Sequence, residues 1–196
     1  LDGQLRGHAK DPISSGLAME AFIPANHWKD TGAEVFIMGA GGSAIAMGAY
    51  LMQEKFQGNY PSKIVISNRS QPRLTEIERI FNELNPGGIE FEYYKTPEPG
   101  QNDEILKRMG KDRPGSPLTD GALFPEDSYV WEINYRGDLR FMYQALEQKE
   151  KRNLYVEDGW IYFIHGWTQV IAEVFHIDID QEKLHELDRI ASQFRK

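Results

Sequence analysis

Short apolar runs alternate with helix-periodic segments along most of the chain. The apolar or alternating runs predict strands at residues 34–38, 63–67, 89–94, 129–133 and 154–156. Apolar residues at helical spacing, with the turn and breaker residues around them, predict helices at residues 11–23, 44–54, 74–84, 101–109, 139–149, 162–174 and 181–194. Strands that alternate with helices are typical of a parallel sheet covered on both sides. The predicted fold class is therefore α/β, a Rossmann-type doubly wound parallel sheet with helices on both faces.

The first predicted strand ends in a glycine-rich turn. Residues 35–38 are four apolar residues in a row, which is typical of a strand buried on both faces. Gly39, Gly41 and Ala44 then occupy the three small positions of the pattern Gly-x-Gly-x-x-Gly/Ala, between that strand and a helix. These positions would permit a tight turn, the approach of a pyrophosphate and close packing of the helix on the strand. The pattern predicts a dinucleotide-binding loop made of Gly39, Ala40, Gly41, Gly42, Ser43 and Ala44.

A glycine triplet also occurs in turns that bind nothing. One alternative is a turn that only packs a helix on a sheet. Another is a nucleoside site of the methyltransferase type.

The end of the second predicted strand indicates which dinucleotide is bound. An NAD site usually has an acidic residue there, which accepts a hydrogen bond from the ribose 2′-hydroxyl. Here the strand is followed by Asn68, Arg69 and Ser70, and Arg73 comes shortly after them. Two guanidinium groups suit a ribose 2′-phosphate, so the sequence favours NADP as the cofactor. The alternative is that both arginines are solvated charges beside the start of a helix.

Composition excludes several classes of protein. A chain of 196 residues suits one domain, or one domain with part of another. The chain contains no cysteine, which excludes disulfides and thiolate metal sites and favours a reducing compartment. The net charge of -8 argues against nucleic acid as a partner, and no apolar run is long enough to span a bilayer. The scattered His165, His176 and His185 do not predict a metal site.

The order of several motifs resembles the NADP-binding half of shikimate (quinate/shikimate) dehydrogenases. The resemblance covers nearly the whole chain and rests on Lys10-Asp11, the loop from Gly39 to Ala44, Asn68-Arg69-Ser70, Asn134-Tyr135, Asp158-Gly159 and Phe163-Ile164-His165-Gly166. It implies a cytoplasmic NADP-dependent oxidoreductase of aromatic amino acid biosynthesis. Such an enzyme transfers hydride between nicotinamide and a hydroxylated cyclic carboxylate, such as shikimate or quinate, as its small-molecule substrate.

The resemblance also implies roles for single residues. Asp11 falls where the family has a catalytic aspartate that, with a lysine from the other domain, holds the substrate hydroxyl and assists proton transfer. Judged without the resemblance, Asp11 is more simply a helix N-cap. Tyr135 and His165 fall at substrate-binding positions, where the alternatives are an interface tyrosine and a buried histidine bonded to backbone. Gly159 matches a glycine beside the nicotinamide, although its spacing to His165 is one residue short of the family pattern.

Two stretches depart from the family. Ala9-Lys10 replace an Asn-Thr pair before Asp11, so substrate contacts there must differ. The family has a strand followed by an Asn-Ala-Thr or Asn-Ala-Ser loop that lines the nicotinamide site. Here the helix at 101–109 runs directly into residues 110–117, which match only the end of that loop. Either the chain has a deletion, or residues are missing between Met109 and Gly110. The second is favoured, because losing a central strand would leave backbone groups without partners.

The resemblance divides the chain into three parts. Residues 1–30 are expected to be a connecting segment and hinge helix from an N-terminal substrate domain that this sequence lacks. Residues 31–153 are expected to form the NADP-binding Rossmann domain, and residues 154–196 C-terminal helices that complete it and return toward the missing domain. Since the chain begins with leucine in mid-pattern, we expect a fragment that binds nucleotide without turning over substrate.

Two other functions are also compatible with the sequence. The chain could instead be a non-catalytic NADP-binding sensor or scaffold, because Ala9-Lys10 and His165 depart from the family. It could also be a related dehydrogenase for another small hydroxy acid. The sequence does not determine the oligomeric state, and a homodimer is compatible with it.

Overall fold

The computed structural model describes residues 4, 7–53, 58–84, 87–108 and 118–195. The strands are β1 (Val35–Met38), β2 (Lys63–Asn68), β3 (Glu90–Lys95), β4 (Tyr129–Trp131) and β5 (Tyr155–Glu157). The helices are α1 (Asp11–Glu20), α2 (His27–Thr31), α3 (Gly42–Leu51), α4 (Gln71–Leu84), α5 (Pro99–Arg108), α6 (Arg140–Leu146), α7 (Lys149–Arg152), α8 (Trp160–Phe175) and α9 (Gln181–Ser192). The predicted α/β fold class, with parallel strands and helices on both faces, is confirmed.

The strands form two parallel sheets within the described ranges. One sheet has the order β1-β2-β3, with Phe36 opposite Val65 and Ile64 opposite Phe91. The other consists of β4 and β5, with Val130 opposite Val156. The single doubly wound sheet expected from the sequence is therefore divided, with β1 and β4 each at an edge.

Two hydrophobic cores cover the sheets, one on each face. Because successive residues of a strand point to opposite faces, an apolar run such as Ile64-Val65-Ile66 supplies both cores. The first core lies against α1, α3 and α4 and includes Ile37, Met47, Ile64, Ile66, Leu74 and Phe81. The second lies against α5 and α6 and includes Phe36, Val65, Ile105, Phe124, Val130 and Phe141. Burial on both faces explains why these short strands contain few polar residues.

The two sheets lie in one layer. Val35 and Ile37 of β1 pack in or against the first core together with Trp131 of β4. Phe36 of β1 lies in the second core together with Val130 of β4. Since β1 and β4 divide their residues between the same two cores, their planes must be continuous. A cavity of about 440 Å³, lined by residues of both strands, separates them and is called the inter-sheet cavity below.

Glycines set the distance between the helices of the first core. A Cβ added to Gly16 of α1 would lie 2.2 Å from the ring of Tyr50 on α3. A Cβ added to Gly48 of α3 would lie 2.2 Å from the ring of Phe81 on α4. Both aromatic rings therefore occupy the space that a side chain at the glycine would need. This packing holds α3, which follows the glycine-rich turn, firmly between its neighbours.

Several element boundaries differ from the sequence predictions. The first helix ends at Glu20, and the predicted helix at 139–149 is divided into α6 and α7. The short α2 was not predicted. The predicted chain interruption between Met109 and Gly110 lies outside the described residues. None of the described helices combines the length and the hydropathy needed to cross a membrane.

Candidate functional site

The glycine-rich turn connects the end of β1 to the start of α3. Gly39 has a φ of 136°, a backbone conformation that side-chain-bearing residues rarely adopt. Its N–H donates a hydrogen bond of 2.8 Å to the carbonyl oxygen of Ser67, near the end of β2. The turn is thus fixed to the neighbouring strand at the carboxyl edge of the sheet.

The N-terminus of α3 opens onto free space. Gly41 is its N-cap in an extended conformation and makes no side-chain cap hydrogen bond. A Cβ added to Gly39, Gly41 or Gly42 would meet no atom within 4 Å. The first-turn N–H groups of a helix lack intrahelical partners and carry the positive end of the helix dipole. The turn therefore offers an anion such as a pyrophosphate both donors and room.

Cationic side chains lie on the same edge of the sheet. Arg69 and Arg73 flank the start of α4, where the carbonyl oxygen of Ser70 accepts a hydrogen bond from the Leu74 N–H at 3.2 Å. Lys95 ends β3 directly opposite Asn68, the last residue of β2. Arg69, Arg73 and Lys95 are all exposed, and no carboxylate of the described residues forms an ion pair with them. This edge is therefore suited to bind one more phosphate, in addition to a pyrophosphate at the glycine-rich turn.

Lys95 is absent from the sequence-based set of binding residues. Nothing in its local sequence marks it, because it reaches this edge only through the pairing of β3 with β2. Asn68, by contrast, has a local role, since its Oδ1 accepts a hydrogen bond of 2.8 Å from the Arg69 N–H. That bond shapes the turn that carries Arg69.

Asp11 lies at the first position inside α1, and its interpretation as an N-cap is wrong. The N-cap is Lys10, whose side chain makes no cap hydrogen bond. Asp11 is instead placed on the exposed surface, where its Oδ1 accepts a hydrogen bond of 3.2 Å from the hydroxyl of Tyr162. An ion pair between Lys10 and Glu173 joins the start of α1 to α8 beside it.

Tyr162 connects Asp11 to the glycine loop. Its hydroxyl donates a hydrogen bond to Asp11, and Ser43, the second residue of α3, lies near enough to affect its pKa. Burial raises the pKa of Tyr162, the nearby Ser43 side chain lowers it, and the Asp11 carboxylate raises it again. The net direction is upward, so the phenol stays neutral at pH 7 and donates to Asp11. The sequence did not single out Tyr162, because this junction joins three helices that are distant along the chain.

Tyr135 and Gly159 meet at the start of α8. The ring of Tyr135 lies 4.4 Å from that of Phe163 and 5.6 Å from that of Trp160, centroid to centroid. Gly159 is the N-cap of α8, and a Cβ there would lie 1.6 Å from the Ile133 carbonyl oxygen. Close packing against the backbone after β4 therefore requires glycine at this position, independently of any ligand.

His165 is placed inside the helix layer. It lies on α8 and only 7% of it is exposed, so a ligand could contact only a small part of the side chain. Burial lowers its pKa. The structure thus brings Asp11 and the glycine loop together through Tyr162, and it brings Tyr135 to Gly159. Within the described part of the chain, no group of three or more histidine, aspartate or glutamate side chains could hold a metal ion.

Comparisons with known proteins identify the fold. No protein-family model matches the chain, and no curated protein matches its sequence. Among solved structures, shikimate 5-dehydrogenase from Thermus thermophilus in complex with NADP(H) and shikimate is 19% identical with a TM-score of 0.62; the match covers 97% of this chain and 66% of that one. Shikimate 5-dehydrogenase from Listeria monocytogenes in complex with shikimate and NAD is 16% identical with a TM-score of 0.62, covering 95% and 65%.

A third similar structure gives the same result. Shikimate dehydrogenase from Aquifex aeolicus is 15% identical with a TM-score of 0.61, covering 96% of this chain and 64% of that one. The chain thus spans about two thirds of the length of these structures. At these identities the similarity establishes the fold: a Rossmann-like α/β domain that resembles the NADP-binding domain of the shikimate dehydrogenase family.

Proposed function

We propose that this chain is the NADP-binding domain of a shikimate dehydrogenase-like oxidoreductase. The observation that carries the proposal is the open glycine turn at the start of α3, beside the exposed Arg69, Arg73 and Lys95. Such an arrangement suits a pyrophosphate at the helix N-terminus and a 2′-phosphate near the arginines. The similar structures solved with NADP(H) or with NAD support the same cofactor class.

The proposed substrate is a hydroxylated cyclic carboxylate such as shikimate or quinate, in aromatic amino acid biosynthesis in the cytoplasm. Shikimate is bound in two of the similar structures. Because the chain spans about two thirds of their length, we assign residues 31–153 to nucleotide binding and residues 1–30 to the connection with a substrate domain. Residues 154–196 would complete the fold and return toward that domain. The fragment alone is then expected to bind nucleotide without turnover.

Asp11 is the proposed catalytic residue. When bound, NADP would supply the hydride acceptor at its nicotinamide. Asp11 would hold the substrate hydroxyl and take its proton, together with a lysine from the substrate domain. Tyr162 is a positioning residue in this scheme, because its hydroxyl donates to Oδ1 of Asp11 and leaves the other oxygen for substrate. Tyr135 and His165 would contact the substrate, and Gly159 would lie near the nicotinamide.

Nucleotide titration of the 196-residue chain tests the cofactor. NADPH binding, followed by fluorescence or calorimetry, should be tighter than NADH binding. Arg69→Ala should weaken NADPH binding about 10-fold or more, since hydrogen bonds to charged groups contribute about 1.5–3 kcal/mol each. Arg189→Ala, on the exposed side of α9, is the matched control. Equal affinity for the two nucleotides, or an unchanged affinity in Arg69→Ala, would refute the assignment.

A second candidate function is NADP binding without catalysis. It is favoured by Ala9-Lys10 and His165, which depart from the family at positions that the resemblance assigns to substrate contact. An assay of the complete protein over shikimate, quinate and other small hydroxy acids separates the candidates. NADPH formation with one acid supports a dehydrogenase and identifies its substrate. Binding with no NADPH formation on any acid favours the sensor or scaffold.

A further inference from the structure

One buried carboxylate holds the turn that follows β4. The strand ends at Trp131, and the Glu132 N–H continues the pairing with β5 by donating a hydrogen bond of 2.9 Å to the Glu157 carbonyl oxygen. Only 8% of Glu132 is exposed. Its Oε1 accepts hydrogen bonds from both nitrogens of Asn134, at 2.9 Å from the backbone N and 2.7 Å from Nδ2. One oxygen of Glu132 therefore fixes both the backbone and the side chain of Asn134.

The start of α8 fixes Asn134 from the other side. The Asn134 carbonyl oxygen accepts a hydrogen bond of 3.1 Å from the Gly159 N–H, at the N-cap of α8. Both peptide groups that flank the Asn134 Cα are therefore hydrogen-bonded, one to Glu132 and the other to Gly159. Because Asn134 is exposed, water competes for these groups. The backbone at this residue cannot rotate without breaking one of these hydrogen bonds, so Glu132 helps to set its conformation.

Asn134 is joined to two residues that the proposed function uses. Tyr135 follows it in the chain, and the ring of Tyr135 packs against those of Trp160 and Phe163 on α8. Gly159 is joined to it through the hydrogen bond to its carbonyl oxygen. A displacement of Asn134 would therefore move the Tyr135 ring and release the Gly159 N–H at the same time.

The chemistry of Glu132 matches this role. A carboxylate oxygen has lone pairs for two hydrogen bonds, and Oε1 accepts both of its bonds from Asn134. Alanine at this position would leave the two nitrogens of Asn134 without that acceptor, whereas glutamine would offer an amide oxygen in its place. Since Glu132 is almost fully buried, its influence on a ligand passes through Asn134 and not through direct contact.

We propose that Glu132 is a positioning residue for the nicotinamide end of the NADP site. It acts through Asn134, whose hydrogen bonds join the turn after β4 to the start of α8. This inference rests on the proposed function, which assigns Gly159 to the nicotinamide and Tyr135 to the substrate. The cations assigned to the 2′-phosphate follow β2 and end β3, in the other sheet. Loss of the Glu132 carboxylate should therefore affect one end of the cofactor and not the other.

Two nucleotides distinguish the ends of the site in the 196-residue chain. NADPH reaches both ends, whereas adenosine 2′,5′-bisphosphate carries the adenosine and the 2′-phosphate but no nicotinamide. In calorimetric titrations, Glu132→Ala should weaken NADPH binding about 10-fold and change the affinity for the bisphosphate by less than about 2-fold. An unchanged NADPH affinity, or an equal loss for both nucleotides, would overturn the proposal.

A conservative variant and a control separate the hydrogen bonds from general effects of substitution. Glu132→Gln keeps an acceptor oxygen, so its NADPH affinity should stay within about 3-fold of that of the unchanged chain. Glu126→Ala removes an exposed carboxylate that precedes the amino end of β4, and it should affect neither nucleotide. A Glu132→Gln variant that binds NADPH as weakly as Glu132→Ala would refute the action through Asn134.

Hydrogen exchange measures the turn without any nucleotide. In Glu132→Ala the amides of Asn134 and Gly159 should exchange about 10-fold faster, because one loses its acceptor and the other its fixed partner. The Gly39 amide, which is bonded to Ser67 in the other sheet, should keep its rate. Equal acceleration at Gly39 would show general destabilisation and refute a positioning role. Failure of the proposed function looks different: the unchanged chain would then bind neither nucleotide, and this inference would fall with it.

Discussion

Gly39 shows how one backbone angle supports the candidate site. Its φ of 136° is accessible mainly to glycine, so Gly39→Ala should lower the free energy of unfolding by about 1–3 kcal/mol. Gly42→Ala is the matched control, because a Cβ there meets no atom within 4 Å and its φ is not positive. Urea denaturation measures both. Equal stability of the two variants would contradict the role assigned to the Gly39 conformation.

His165 makes stability depend on pH. Burial lowers its pKa, so the unfolded chain binds the proton more tightly than the folded chain. Its contribution to stability is complete above the unfolded pKa of about 6.5 and is lost as the pH falls toward the lower, folded pKa. His165→Gln should reduce the slope of unfolding free energy against pH below about 6.5, by at most ~1.4 kcal/mol per pH unit. A slope in His165→Gln equal to that of the unchanged protein would contradict this contribution.

Lys95 is expected to recognise the phosphate that distinguishes NADP from NAD. It lies opposite Asn68, at the end of the strand that precedes Arg69. Lys95→Ala should weaken NADPH binding several-fold and NADH binding little, because only NADPH carries the additional charge. Lys29→Ala, an exposed lysine on α2, is the control. A loss of affinity that is the same for both nucleotides would assign Lys95 to the shared part of the cofactor.

At the scale of elements, glycines let the helices of the first core approach closely. Gly48→Ala would place a methyl group 2.2 Å from the Phe81 ring, so it should destabilise the fold by about 1–3 kcal/mol through overpacking. Gly166→Ala on α8 meets no atom within 4 Å and should be neutral or stabilising by about 0.5–1 kcal/mol. Thermal unfolding of both variants measures the difference. A neutral Gly48→Ala would mean that α3 and α4 can separate at little cost.

Sequence patterns predicted the elements whose buried residues recur at a regular spacing along the chain. The runs that became β1 and β2 are apolar on consecutive residues because two cores cover them, and that signal is present in the sequence itself. The pattern missed α2, since its five residues, bounded by the left-handed Asn26 and Gly32, are too few to show a period. The pattern also predicted a single helix where the structure has α6 and α7, and α7 buries none of its residues.

At the scale of the whole molecule, the sequence predicted the part of the site that is contiguous. Gly39, Arg69 and the loop around each follow directly from strands that the sequence marks. Lys95 and Tyr162 reach the same edge through strand register and helix packing, which depend on residues far apart in the chain. The division into two sheets agrees with a departure visible in the sequence, where the helix at 101–109 runs into residues 110–117 without the strand that the family has there.

The inter-sheet cavity also bears on how the protein responds to pressure. Unfolding eliminates internal void, so any part of this cavity that water does not fill gives the unfolded state the smaller volume. The volume change of unfolding is therefore expected to be negative, within the usual range of about −20 to −100 mL/mol. Trp131 lines the cavity, and its fluorescence can follow unfolding in a high-pressure cell. Moderate compression should therefore denature this chain, and Ala33→Leu, which fills part of the void, should shift its midpoint to higher pressure.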